Sequence, residues 1–79
     1  MNAVGRMRRY TVVLTPDLDE GGYVATVPAL PGCVTEGDTQ QDALEMAKDA
    51  IRAWIASAQA DGDSIPEETA SPELAAVEV

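Results

Sequence analysis

The sequence has 79 residues and a mass of 8.3 kDa, room for one small domain with a two-layer core and for neither a second domain nor a deep substrate cleft. Histidine is absent, which excludes Ser-His-Asp and Cys-His catalysis, imidazole acid–base chemistry and every His-containing zinc site; the single cysteine, Cys33, excludes an internal disulfide. Fourteen acids against five bases leave a net charge of −9, and since Arg6, Arg8 and Arg9 lie at the N-terminus, positions 10–79 set Lys48 and Arg52 against all fourteen acids, a net of −12.

Residues 1–7 have no periodicity and read as a flexible arm. From Arg8 to Thr15 the chain is rich in β-branched and aromatic residues, with Tyr10, Val12 and Leu14 on one face of a strand that Pro16 stops. Asp17 to Gly22 is a polar, glycine-closed turn, and Tyr23 to Val27 returns as the second strand of a hairpin. Pro31-Gly32 demands a tight turn, after which Cys33 to Gly37 forms a short third strand. Three strands on short links lie side by side as an antiparallel meander.

Asp38 or Thr39 caps a helix, with Gln41 or Asp42 three residues on completing a capping box. No proline or glycine interrupts the chain from there to Ala60, a span of about 33 Å at about 1.5 Å per residue. Leu44, Ala47, Ile51, Trp54, Ile55 and Ala58 recur at spacings of three and four, the stripe of a helix lying on a sheet, while Glu45, Lys48, Asp49 and Arg52 form a solvated face. Gly62 ends the helix. The domain is therefore expected over 8–62, followed at 63–79 by an acidic, proline-containing extension whose apolar end, Leu74 to Val79, is a candidate fourth strand.

The fold class is α+β: a three-stranded antiparallel meander covered on one face by one long helix. The other face leaves Val13, Val24 or Val27, and Leu30 without cover, which predicts a homodimer or higher homo-oligomer. No apolar stretch fits a signal peptide or a membrane span, so no membrane partner and a cytoplasmic location are expected.

Few residues suggest chemistry. The run Asp17 to Gly22 superficially resembles a calcium loop, but Gly21 and Pro28 occupy positions where that loop needs ligands, and a hairpin turn with solvated carboxylates is the better reading. Cys33 has no base or cation nearby in sequence to form thiolate, so it reads as a small buried hydrophobe. Paired carboxylates for a two-metal nuclease belong on mid-strand positions, and Thr11, Val12 and Val13 stand there instead. Trp54 reads as a core residue ahead of an interface anchor. Arg6, Arg8 and Arg9 suit either RNA or a partner's carboxylate, or a solubilising edge cluster. No catalytic residue, cofactor or metal ligand is assigned.

Tyr10-Thr11-Val12-Val13-Leu14, the run Gly21-Gly22-Tyr23-Val24-Ala25, then Val27-Pro28-Ala29-Leu30-Pro31-Gly32-Cys33, and Gly37-Asp38-Thr39 with Asp42-Ala43-Leu44 together resemble the HicB-like antitoxin family over roughly residues 8–66. The resemblance implies a partial RNase H-like β-β-β-α-β fold with a final strand beside the first. It also implies a partner, a HicA-like toxin: a small basic mRNA ribonuclease whose active surface the antitoxin covers. Many members continue into a helix-turn-helix or ribbon-helix-helix module, and none follows in this sequence, so autonomous operon repression is not expected. The RNase H-type acid expected inside the first strand is missing.

An inhibitor this acidic can mimic RNA towards a basic enzyme. The expected partner-binding residues are the hairpin acids Asp17, Asp19 and Glu20, or the outer helix acids Glu45 and Asp49. An orphan oligomeric binding module without a toxin partner is the alternative, and a degraded nuclease a third.

Overall fold

The structure, a computed structural model, describes residues 8–68 and 73–79; the arm expected at 1–7 lies outside them. Three strands, β1 (Val13–Pro16), β2 (Tyr23–Thr26) and β3 (Val34–Gly37), precede one helix, α1 (Gln40–Ala60). The sheet runs in the order β1-β2-β3 with both pairs antiparallel. The expected meander and single covering helix are both present.

Each turn follows from its residues. Between β1 and β2 the Asp17 carboxylate accepts the backbone N–H of Asp19 (3.0 Å) and Glu20 (3.1 Å), and Gly21 and Gly22 supply φ values of +81° and +80°. Between β2 and β3, Cys33 N–H donates to the Leu30 carbonyl across Pro31-Gly32, with Gly32 at φ +77°. Proline followed by a glycine at positive φ is the signature of a type II turn. Thr39 caps α1, its hydroxyl accepting the Asp42 N–H at 3.0 Å. At the other end Gly62 (φ +76°) donates to Gln59 and Asp63 to Ala58, the paired bonds of a Schellman motif.

The register places Leu14, Ala25 and Thr35 in one row across the sheet, on the side where Ala25 packs with Ala43 and Ala47 of the helix. A second cluster joins Val27, Leu30 and Cys33 to Val12, Ala50, Ile51 and Trp54. The helix sits close to β3: a Cβ on Gly37 would collide with the backbone of Asp42 and Ala43. Small residues at 37, 43 and 47 make this approach possible. Ala47 and Ala58 are buried as the stripe predicts, but Ala43 takes the place expected of Leu44, which is 44% exposed.

The exposure expected for Val27 and Leu30 is overturned, because both are 1% exposed. The 27–33 loop folds inward, held by Val27 N–H to the Cys33 carbonyl and Leu30 N–H to the Val27 carbonyl. That puts Leu30 under Trp54 rather than in solvent, a burial worth roughly 1.5–3 kcal/mol. Val34 takes the outer-face role instead, 57% exposed in the row it shares with Val13 and Thr26.

Residues 73–79 form no strand. The C-terminal segment meets the body earlier, where the Tyr10 hydroxyl donates to the Pro66 carbonyl and the Thr11 backbone N–H and hydroxyl both donate to the Glu68 carboxylate. The extension thus runs beside the chain leading into β1, without a ladder. Among the described residues no helix is long and apolar enough to cross a membrane.

Candidate acidic interface

One end of the sheet concentrates negative charge. β1 finishes there, β2 starts there, and the pairings Pro16↔Tyr23 and Tyr23↔Gly37 bring the hairpin turn beside the end of β3. The result is an open hollow of about 260 Å³ lined by Asp17, Glu20, Tyr23, Glu36 and Asp38 with the intervening glycines. Four carboxylates from two segments of chain, the hairpin turn and the end of β3, therefore share one surface.

Their roles differ. Asp17 is committed to its turn through the two backbone donors it accepts. Glu20, Glu36 and Asp38 are exposed. Leu18, between Asp17 and Asp19 at the tip of the turn, is 93% exposed. A leucine held out in water on a turn that also carries carboxylates suits a protein surface that pairs an apolar anchor with a charged rim. Among the described residues no group of three or more Cys, Asp or Glu side chains is placed to hold an ion.

The five sequence-selected acids do not form one site. Asp17 and Glu20 line the hollow, and Asp19 is exposed on the same turn outside its lining. Glu45 and Asp49 project from the exposed face of α1, where Asp49 faces the Arg52 guanidinium at 3.8 Å, an exposed pair worth less than about 1 kcal/mol. Sequence reasoning missed Leu18, Glu36 and Asp38. The signal for the two acids lay in the meander itself, since a third strand antiparallel to the second ends beside the first hairpin turn.

The remaining candidate groups, Cys33 and Trp54, sit in the second core cluster. Cys33 is 5% exposed, and burial pushes its thiol above the ordinary value, away from the thiolate that nucleophilic chemistry needs. Trp54 packs on the second core cluster, its indole N–H donating to the Pro31 carbonyl at 3.0 Å.

Comparison with known proteins gives this surface a context. The profile described as "HicB_like antitoxin of bacterial toxin-antitoxin system" matches residues 10–78. A UPF0150 protein of Thermoplasma acidophilum is 48% identical over 62 residues, covering 78% of this chain and 88% of that protein. Antitoxin HicB 1 of Photorhabdus laumondii is 43% identical over 58 residues, and antitoxin HicB of Escherichia coli K12 is 46% identical over 43. Those matches cover 73% and 54% of this chain but only 37% and 30% of the two antitoxins, so the chain corresponds to about a third of their length. A small meander under one helix, with four of its fourteen acids lining a hollow at the hairpin end, is thus the form taken here by a member of the HicB-like antitoxin family of bacterial toxin–antitoxin systems.

Proposed function

We propose that this protein acts in the cytoplasm as an antitoxin that binds a small basic HicA-type mRNA ribonuclease and covers its RNA-binding surface, performing no bond-breaking chemistry itself. The observation that carries this reading is the hollow at the hairpin end, lined by Asp17, Glu20, Glu36 and Asp38, on a turn whose Leu18 stands in solvent. A surface built to bind phosphates carries fixed positive charge, and a cluster of carboxylates competes for it while offering no scissile bond. Leu18 adds the apolar contact that a polyanion lacks. The net charge of −9 steers the encounter over longer range.

Asp17, Asp19 and Glu20 are the proposed contact residues from the hairpin, joined by Glu36 and Asp38. Glu45 and Asp49 on α1 are the second surface, weaker because Asp49 already faces Arg52. The protein is further proposed to work as a homodimer or higher homo-oligomer, which would cover apolar surface that one copy leaves in solvent.

The test is co-expression with a HicA-type ribonuclease, scored by growth rescue and co-purification. Rescue that is lost on Glu20→Lys/Glu36→Lys supports the reading. A pair that neither co-purifies nor rescues growth rejects it in favour of an orphan module.

A further inference from the structure

The basic residues of this acidic chain are not scattered. Arg8, Arg9, Lys48 and Arg52, four of its five cations, line a single groove of about 550 Å³ between the segment entering β1 and the flank of α1. The groove is also apolar, with Tyr10, Val12, Leu44, Ile51 and Ile55 in its walls. Leu44 is 44% exposed along it. β1 leads from this groove to the acidic hairpin end, and within the groove Arg52 also faces Asp49 across an exposed 3.8 Å pair.

A groove that is both cationic and apolar selects a segment that is both acidic and apolar. A nucleic acid satisfies only half of that requirement and meets a body of strongly negative charge. The chain contains a segment that satisfies both. Residues 73–79 read Glu-Leu-Ala-Ala-Val-Glu-Val, and the structure leaves Leu74 87% and Val77 82% exposed. Glu73 and Glu78 flank these two side chains. The segment's own groove is not occupied by it, although the same chain is fastened at the groove's rim through Tyr10 and Pro66.

We propose that the groove receives residues 73–79 of a second copy, and that two copies exchange these segments reciprocally. Leu74 and Val77 enter the apolar walls, and Glu73 and Glu78 meet Lys48, Arg52, Arg8 and Arg9. The exchange is isologous, each copy giving one segment and taking one, which closes the assembly at a dimer. It removes the exposed apolar tail and the exposed groove wall from water in one step.

This deepens the homo-oligomer reading above and is independent of the toxin surface. The experiment is sedimentation equilibrium on the full chain and four variants, with circular dichroism to verify that each is folded. The expected wild type is a dimer. Lys48→Glu/Arg52→Glu in the groove, and Glu73→Lys/Glu78→Lys in the tail, each weaken it by about tenfold or more. Combining all four substitutions restores it, and so does mixing the two double variants, because in a mixed pair both grooves meet a tail of opposite charge. Leu74→Asp/Val77→Asp yields monomer. A wild type that is monomeric overturns both the oligomer and the exchange. A dimer indifferent to groove and tail substitutions overturns the exchange alone, and a concentration-independent monomer whose tail spin label relaxes its own groove replaces it with docking in cis.

Discussion

The Trp54 indole N–H donates to the Pro31 carbonyl at 3.0 Å, tying the C-terminal half of the helix to the turn between the second and third strands. One side chain thus performs two tasks. Its ring covers Val27, Leu30 and Cys33, and its polar edge satisfies a carbonyl that the type II turn leaves pointing away from the sheet. Trp54→Phe keeps most of the ring and removes the donor, so it should cost about 1 kcal/mol. Trp54→Ala also uncovers the cluster and should cost about 2–3 kcal/mol, below the usual core value of about 3–5 because the ring is only half-buried. Urea unfolding followed by circular dichroism measures both; equal losses for Phe and Ala would show that packing contributes little.

The glycines at the acidic end separate steric from conformational cost. A Cβ on Gly22 would stand 2.6 Å from the Gly37 carbonyl oxygen, and one on Gly37 would strike the backbone of the first helical turn. Gly21 has open space around it but a φ of +81°. Gly21→Ala should therefore cost about 1–2 kcal/mol, the left-handed penalty alone. Gly37→Ala must push α1 away from the sheet and should cost more than about 3 kcal/mol. The order of thermal midpoints, Gly21→Ala above Gly37→Ala, checks this, and a reversed order would mean that the helix yields easily.

Local signals account for what was readable in advance. Thr39 as cap, Gly62 as terminator and Pro31-Gly32 as turn each act through bonds within six residues, so residue type alone points to them. Burial of Leu30 was not readable that way. Alternation along a strand says nothing once the chain enters a loop, and the loop's inward fold depends on Trp54, 24 positions away. Periodicity points to Ala47, Ile51, Trp54 and Ala58 but to Leu44 rather than Ala43, for a related reason: alanine is uninformative until the close approach at Gly37 makes its small size the point. Charge was legible as a total and illegible as a pattern. Glu36 joins Glu20, and Arg8 joins Lys48, only through the register of the sheet and the line of the helix across it.

Thr35 carries a cost that a substitution can remove. Its hydroxyl is buried with no hydrogen-bond partner among the described residues, in the row with Leu14 and Ala25 on the side facing the helix. An unpaired buried hydroxyl costs roughly 1–3 kcal/mol, and valine has nearly the same shape. Thr35→Val should stabilise the fold by about 1 kcal/mol, read as a higher urea midpoint at unchanged slope. A loss of stability would reveal a partner for the hydroxyl.

Cys33 should make stability fall in alkali. Burial raises its thiol above the ordinary value, so the folded chain keeps this proton at a pH where the unfolded chain has released it. The unfolded state then binds fewer protons, and unfolding free energy decreases as pH rises beyond about 8.5. Below that pH both states are protonated and the effect vanishes. Cys33→Ala should lose this part of the alkaline slope while lowering stability at neutral pH by about 1 kcal/mol for the lost sulfur contacts. Native protein should also react with a thiol reagent only at the rate of unfolding. Fast labelling of folded protein would contradict the burial.

The acidic end and the outer helix face make different demands on a basic partner. Glu20 and Glu36 arise from separate strands' ends and converge on the same hollow, so reversing both changes the local field in one place. Glu45 and Asp49 lie along the exposed side of one helix, with Arg52 beside Asp49, so part of their charge is already offset. Glu20→Lys/Glu36→Lys should weaken binding to a HicA-type ribonuclease by about 10- to 100-fold, mostly through slower association, and should flatten its salt dependence. Glu45→Lys/Asp49→Lys should change it by no more than about threefold. Leu18→Ala should act on dissociation instead, since an apolar anchor contributes after the encounter. Surface plasmon resonance at two ionic strengths separates the rates; a larger effect from the helix pair than from the hairpin pair would move the interface to α1.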